Sequence, residues 1–318
     1  MVTLQRNAQA SIFEGLGVLY SNCPRALLNR LSIMRIVIFG NSFKRNTIDE
    51  TAHILCYMRE HKVEVMLSKE IRDEMNLRDC YPLFSETTQE DIDFAISIGG
   101  DGTFLTTAAH IGAKNIPILG INLGHLGFLS DVQASDVDRI LDQLINNNYT
   151  IEQRSILKVT NSEGAPLSLP FALNEVAVMK QELSSMIAVD TYVNGEMLNT
   201  YNADGLIVST PTGSTAYNLS VGGPIVAPQT KVIVLSPIAS HSLNVRPLII
   251  PDDCTIDLKI SSRSHNYLIS IDGRSLSIKE SVKLHIEKAH YTIKLVQLGE
   301  HSFFDSLKKK LSWGTQGS

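Results

Sequence analysis

None of the four cysteines, Cys23, Cys56, Cys80 and Cys254, forms a Cys-x-x-Cys pair with another. That spacing disfavours a disulfide framework and a structural zinc site, and it assigns the chain to a reducing compartment, the cytoplasm. No apolar run approaches the ~20 residues that a helix needs to span a bilayer, so no membrane partner is expected. Basic residues are in deficit: 28 Lys and Arg face 33 Asp and Glu, for a formal net charge of −5. Little is available to displace counterions from a nucleic acid, and none is expected as a partner. Neither the Gly-Lys-Ser/Thr end of a P-loop nor a Gly-x-Gly-x-x-Gly run occurs, which disfavours ordinary Walker chemistry. Internal repeats and low-complexity tracts are missing too.

What is present is a globular composition. The chain has 318 residues, 43% hydrophobic and 19% charged, enough for one large domain or two of usual size. Residues 1–33 carry Arg6 and a mildly apolar stretch, 11–20, that superficially follows a signal-peptide pattern. Glu14 interrupts it and no small-residue cleavage site follows, so we read 1–33 as an extension outside the fold.

From 34 to 150 strand-like and helix-like segments alternate. Strands are expected at 35–39, 63–67, 94–98 and 116–121, with helices at 48–61, 103–111 and 135–146. The last helix takes Ser135 or Asp136 as N-cap and Ile140, Leu141 and Leu144 as its apolar face. Alternation of this kind predicts an α/β domain with a mostly parallel sheet. From 151 to 290 short alternating segments take over, at 156–160, 171–179, 188–193, 205–210, 232–236, 255–260, 267–271 and 282–286. Asn194-Gly195 and Asp272-Gly273 are typical hairpin turns, and short helices are expected only near 214–219. The pattern predicts a β-sandwich-like all-β second domain. Residues 291–318 read as a C-terminal tail packing back on the first domain, with Lys308-Lys309-Lys310 as a solvated face.

The chemistry concentrates in two runs. In the first, the strand 94–98 ends in Gly99-Gly100-Asp101-Gly102-Thr103 and a helix follows. Glycines let backbone N–H groups approach phosphate oxygens, and a helix N-terminus adds partial positive charge. Asp101 is the odd member. A carboxylate in a phosphate cradle repels its ligand unless it holds a metal or accepts a hydroxyl proton, and either role points to phosphoryl transfer onto an alcohol. The plain alternative is a tight strand-to-helix turn. The second run, 202–220, leads a strand into Ser209, Thr210, Thr212, Ser214 and Thr215 around Pro211 and Gly213, followed by Tyr217. Its hydroxyls and amides suit sugars and phosphates, whereas its plain reading is a Ser/Thr-rich connection.

Taken in order, Gly99–Thr103, Asn174-Glu175, Asp204-Gly205 through Ser209 to Tyr217, and Gly222-Gly223-Pro224 resemble the signature of bacterial NAD kinases. Ser236-Pro237-Ile238, His241, Arg246-Pro247-Leu248 and Asp272-Gly273 are similar to that family as well, so the likeness covers roughly 34–300. The glycine motif alone is shared with diacylglycerol-type lipid kinases and, more loosely, phosphofructokinases. A lipid kinase needs an apolar acceptor pocket, which the polar loop 209–220 fits badly, and a nucleotide sensor needs no acid at position 101.

The resemblance implies phosphorylation of the 2′-hydroxyl of the NAD adenosine ribose by ATP, with a divalent metal such as Mg²⁺ accompanying the ATP and no protein-bound metal. Asp101 would be the general base and, with Gly102, Asn174, Glu175, Asp204, Thr215, Ala216, Tyr217, Asn218, Leu219 and Ser220, would bind NAD. Further phosphate or substrate contacts are expected from Gly99, Gly100, Thr103, His110, Asn202 and Arg274. His110 and Asn202-Ala203 depart from the family, which often has a basic residue at the first place and Gly or Arg-Gly at the second. His125 stands in a loop that resembles one bordering the family's site. A homodimer or homotetramer, joined through the β-rich domain, is also implied.

Overall fold

The computed structural model describes residues 34–40, 45–85, 87–88, 91–124, 127–130, 132–133, 136–161, 166–182, 185–299 and 302–312. The proposed extension 1–33, His125 and the N-cap candidate Ser135 lie outside the described residues.

Strands β1 (Arg35–Gly40), β2 (Glu64–Leu67), β3 (Phe94–Ile98), β4 (Ile118–Asn122) and β5 (Val132–Gln133) pair in parallel. Two later strands, β6 (Thr150–Arg154) and β19 (Ile293–Gln297), complete the sheet: β19 lies parallel to β4 and antiparallel to β6. Among the described residues the sheet has seven strands, in the order β2-β1-β3-β4-β19-β6 with β5 beside β4.

Alternation along β1 explains why Ile36–Phe39 is apolar without a break. Ile36 and Ile38 face one apolar cluster, and Val37 and Phe39 face another; a strand covered on both faces has no polar side. The first cluster is closed by α1 (Arg45–Glu60), through Ile54, Leu55 and Met58, and by α4 (Val137–Ile145), through Ile140, Leu141 and Leu144. Between them in sequence comes α2 (Lys69–Glu74), which buries Ile71 in the same cluster. The second cluster takes α3 (Asp101–Ile111), whose Phe104, Ala108 and Ile111 meet Leu129 and, from the β-rich part, Ile156, Leu173 and Ala289. Helix α3 therefore lies where the two halves of the molecule meet.

The β-rich part is two antiparallel sheets around a shared apolar core. One contains β7 (Leu157–Asn161), β8 (Pro166–Ala172), β10 (Ile187–Val193), β11 (Glu196–Ala203), β15 (Ile256–Ser261) and β18 (Leu284–Lys288). The other contains β9 (Glu175–Lys180), β12 (Gly205–Ser209), β13 (Val232–Ile238), β14 (Leu248–Pro251), β16 (Asn266–Ile271) and β17 (Arg274–Lys279). This is the expected α/β domain plus sandwich. The expected continuous strand 171–179 is broken: β8 and β9 belong to different sheets, and Leu173-Asn174 is the corner between them. Strands β11, β14 and β17 escape the pattern reading because their burial is weak or mixed along most of their length. The short helices near 214–219 are a 3-10 turn at Thr212–Thr215 and α5 (Tyr217–Ser220). Helix α6 (Phe303–Leu311) closes the described chain, its start set by a capping box between Ser302 and Asp305.

Candidate active site

Helix α3 begins at Asp101 itself, two residues earlier than its sequence pattern suggests, with Gly100 as N-cap. The glycines before and after Asp101 have different physical reasons. Gly99 sits at φ +149°, and a side chain there would meet Thr103 Oγ1 at 2.4 Å. At Gly100 and Gly102 an added Cβ would meet nothing within 4 Å, so these two leave backbone open to an approaching ligand.

The Asp101 carboxylate is held by the segment after β4. Phe128 N–H donates to Oδ2 at 2.9 Å, and Leu129 and Ser130 N–H donate to Oδ1 at 3.0 and 3.2 Å. A turn closed by Gly127 N–H to Ser130 O (3.0 Å) aims these amides at the acid. Only glycine fits at 127, where a Cβ would lie 2.0 Å from Asp101 Oδ1. Lys310 Nζ, from α6, is 3.4 Å from Oδ2 and completes the shell. The sequence reading left this lysine in solvent; it is instead the one member of the Lys308–Lys310 run that turns inward, with a side chain 21% exposed.

The second half of the site is the corner at Leu173-Asn174. Asp272, at φ 49° in the turn between β16 and β17, accepts N–H bonds from Leu173 (2.8 Å), Asn174 (2.8 Å) and Glu175 (3.1 Å). Loop 210–217 then clasps the corner. Thr210 Oγ1 donates to Leu173 O at 2.6 Å and Ser209 Oγ to Asn174 O at 3.3 Å. Gly213 passes so close that a Cβ would lie 2.2 Å from Asn174 O. Asn174 Oδ1 and Glu175 Oε2 are buried with no hydrogen-bond partner among the described residues. Burial pushes the Glu175 carboxyl up to about 7; the negative Asp272 adds to this, and the Tyr217 backbone N–H opposes it. Burial raises Asp272 as well, against the pull of its three amides and Arg274.

The two halves are joined by packing. Phe104 of α3 and Leu129 share one apolar cluster with Leu173. Arg154 at the end of β6 is buried, ion-pairs with Glu152 at 2.7 Å, and reaches Thr212 Oγ1 of the clasping loop at 3.4 Å. Neither Lys310 nor Arg154 was singled out by its sequence surroundings.

Similar chains are known. The ATP-NAD kinase N-terminal domain family matches residues 25–149, and the ATP-NAD kinase C-terminal domain family matches residues 173–298. The NAD kinase of Bacteroides fragilis is 46% identical over 286 residues, 88% of this chain and 98% of that protein. The chain belongs to the NAD kinase family. Another NAD kinase, from Cytophaga hutchinsonii, is 40% identical over 287 residues, with the same two coverages. Among solved structures, an NAD kinase from Archaeoglobus fulgidus in complex with ATP is 25% identical and superposes with a TM-score of 0.68, covering 88% of this chain and 99% of that one. Yeast NADH kinase complexed with NADH, 23% identical, shares the fold with a TM-score of 0.80, covering 91% and 90%. The chain is accordingly an enzyme, an NAD kinase that converts NAD to NADP with ATP.

The remaining residues singled out for this NAD kinase fall in several places. Thr103 lies in the first turn of α3, two residues after the acid, its N–H bonded to Gly100 O at 3.0 Å. Tyr217 is 36% exposed, its hydroxyl toward Met179 Sδ, and Thr215, Ala216, Leu219 and Ser220 flank it with partial or full exposure. Asn218 is fully buried, its amide committed to Ser214 O, Pro224 O and Ser236 Oγ, so inside this chain it shapes the loop. Asp204, just before β12, ion-pairs with Lys180 at 2.7 Å. Glu175 adjoins the other end of that strand, opposite Ser209. Asn202 is exposed on β11, in a groove with Lys259 and Arg263. Arg274 ties its hairpin to β8 through Ile271 O and Phe171 O, both at 3.0 Å. His110 stacks on Phe39 near the far end of α3, about 13 Å along the helix from Asp101.

Proposed function

We propose that NAD lies in the cleft between the Asp101 turn and the Asn174–Glu175 corner, and that Asp101 is the base for the 2′-hydroxyl of its adenosine ribose. As the ribose oxygen bonds to the γ-phosphorus of ATP, the bond to the ADP oxygen breaks and the hydroxyl proton passes to the carboxylate. The observation that carries this reading is a carboxylate at a helix N-terminus, oriented by three backbone amides, beside two glycines that leave the backbone open. Catalysis then comes mainly from positioning and electrostatics. Gly99, Gly100, Gly102 and Thr103 border the phosphates. Asn174 and Glu175 bond the adenosine part, an assignment supported by their unpaired buried oxygens. Asp204, Thr215, Ala216, Tyr217 and Ser220 line the cleft.

Among the described residues no three His, Cys, Asp or Glu side chains gather into a cation site. On this reading Mg²⁺ arrives with the phosphates of ATP, whose charge it neutralises. We also place the enzyme in the cytoplasm, as a homodimer or homotetramer. Exposed Leu248 and Ile249 on the edge strand β14, with Leu243 85% exposed just before it, support assembly through the sandwich.

The test is Asp101→Asn, assayed with ATP, Mg²⁺ and NAD by an NADP-specific dehydrogenase. Turnover should fall more than ~100-fold, the low end for a lost base, with NAD binding retained in calorimetry. Near-normal turnover would remove Asp101 from the role.

A further inference from the structure

The NAD kinase cleft described above is built from the two domains, yet its acid is touched by a side chain from neither core. Lys310 reaches Asp101 from the C-terminal helix α6, beyond the family match that ends at residue 298. Its position is prepared by the helix. Phe303, Leu307 and Lys310 recur at spacings of four and three residues, so they share one face. Leu307 is buried and the Phe303 ring lies against Phe128 at 6.4 Å. The Lys310 ammonium stands 4.1 Å above the centre of that same Phe128 ring while it faces Asp101 Oδ2. Phe128 thus supplies an amide to the carboxylate and a π face to the cation that pairs with it. Lys308 and Lys309 point to solvent.

A carboxylate beside the phosphates of ATP is a like charge where like charge repels the substrate. A fixed ammonium on that carboxylate offsets the repulsion and limits its rotation. We propose that Lys310 is a positioning residue of the phosphoryl transfer, orienting Asp101 and compensating its charge, so that α6 is part of the active site. This rests on the assignment of Asp101 as the base.

The test uses the full chain with ATP, Mg²⁺ and NAD, comparing Lys310→Met, Lys310→Gln and Lys310→Arg, with Lys309→Met as the control. In the Met and Gln variants kcat should fall by about 100-fold, the scale of a slightly misplaced catalytic group. The KM for NAD should stay within about threefold, since the side chain acts through the acid and not on the ground-state ligand. Arginine should recover most of the loss, Lys309→Met should be unchanged, and melting temperatures should agree. Equal loss in the Met, Gln and Arg variants, or a loss that tracks the melting temperature, would mean a structural role and overturn the proposal. So would unchanged turnover in Lys310→Met, or a rise, which would make the contact inhibitory. If Asp101→Asn is inactive and Lys310→Met is normal, only this inference fails; if Asp101→Asn is active, the reading beneath it fails as well.

Discussion

Glu175→Gln isolates one titration in this NAD kinase. The glutamate is 8% exposed, and burial beside Asp272 carries its carboxyl from an ordinary 4.5 up to about 7. In the unfolded chain it ionises near the ordinary value. Between the two values the folded protein holds a proton that the unfolded chain has released. Stability must therefore fall as pH rises through the window from about 4.5 to about 7, and level off above it. At about 1.4 kcal/mol per unit, the contribution between pH 5 and pH 8 is about 2 to 3 kcal/mol. Glutamine keeps the size and cannot titrate. Urea unfolding of both proteins at pH 5, 6, 7 and 8 should give a wild-type stability that declines relative to the Gln variant by that amount. Asp272, also raised, biases both proteins in the same direction, so the difference between them is the quantity to read. Parallel pH profiles would refute the assignment of the raised carboxyl to Glu175.

Two further outcomes are expected. Gly127→Ala places a methyl 2.0 Å from Asp101 Oδ1, so turnover should drop by about 100-fold with NAD binding retained, as coupled assay and calorimetry can show. Light scattering should find a dimer or tetramer, and Ile249→Asp on the exposed edge strand should shift it toward monomer.

Much of the fold was legible because local chemistry and burial agree. The runs at 36–39 and 94–96 are unbroken in apolar residues since both faces of their sheet are covered, and Asp272-Gly273 marks its hairpin through the left-handed backbone it adopts. The strand at 171–179 was misread as one because apolar residues, Phe171–Leu173 and Val176–Met179, flank the polar corner on both sides, and what breaks it is a carboxylate 98 residues away from Asn174. Weakly buried strands such as β14 carry little alternation to detect.

The acid this NAD kinase carries among its glycines was evident from the chain alone, because Gly99–Thr103 stands between an apolar strand pattern and a helical one. The Asn174-Glu175 pair and the hydroxyl-rich loop were legible in the same way, as residue types in order. What surrounds Asp101 was not. Its amides come from 128–130 and its cation from residue 310, 209 positions along the chain. Contacts of that length leave no local period or spacing, since they are decided only when β4 sets the turn beside α3 and α6 docks over Phe128. Sequence determined which groups could do the chemistry; tertiary packing decided which of them meet.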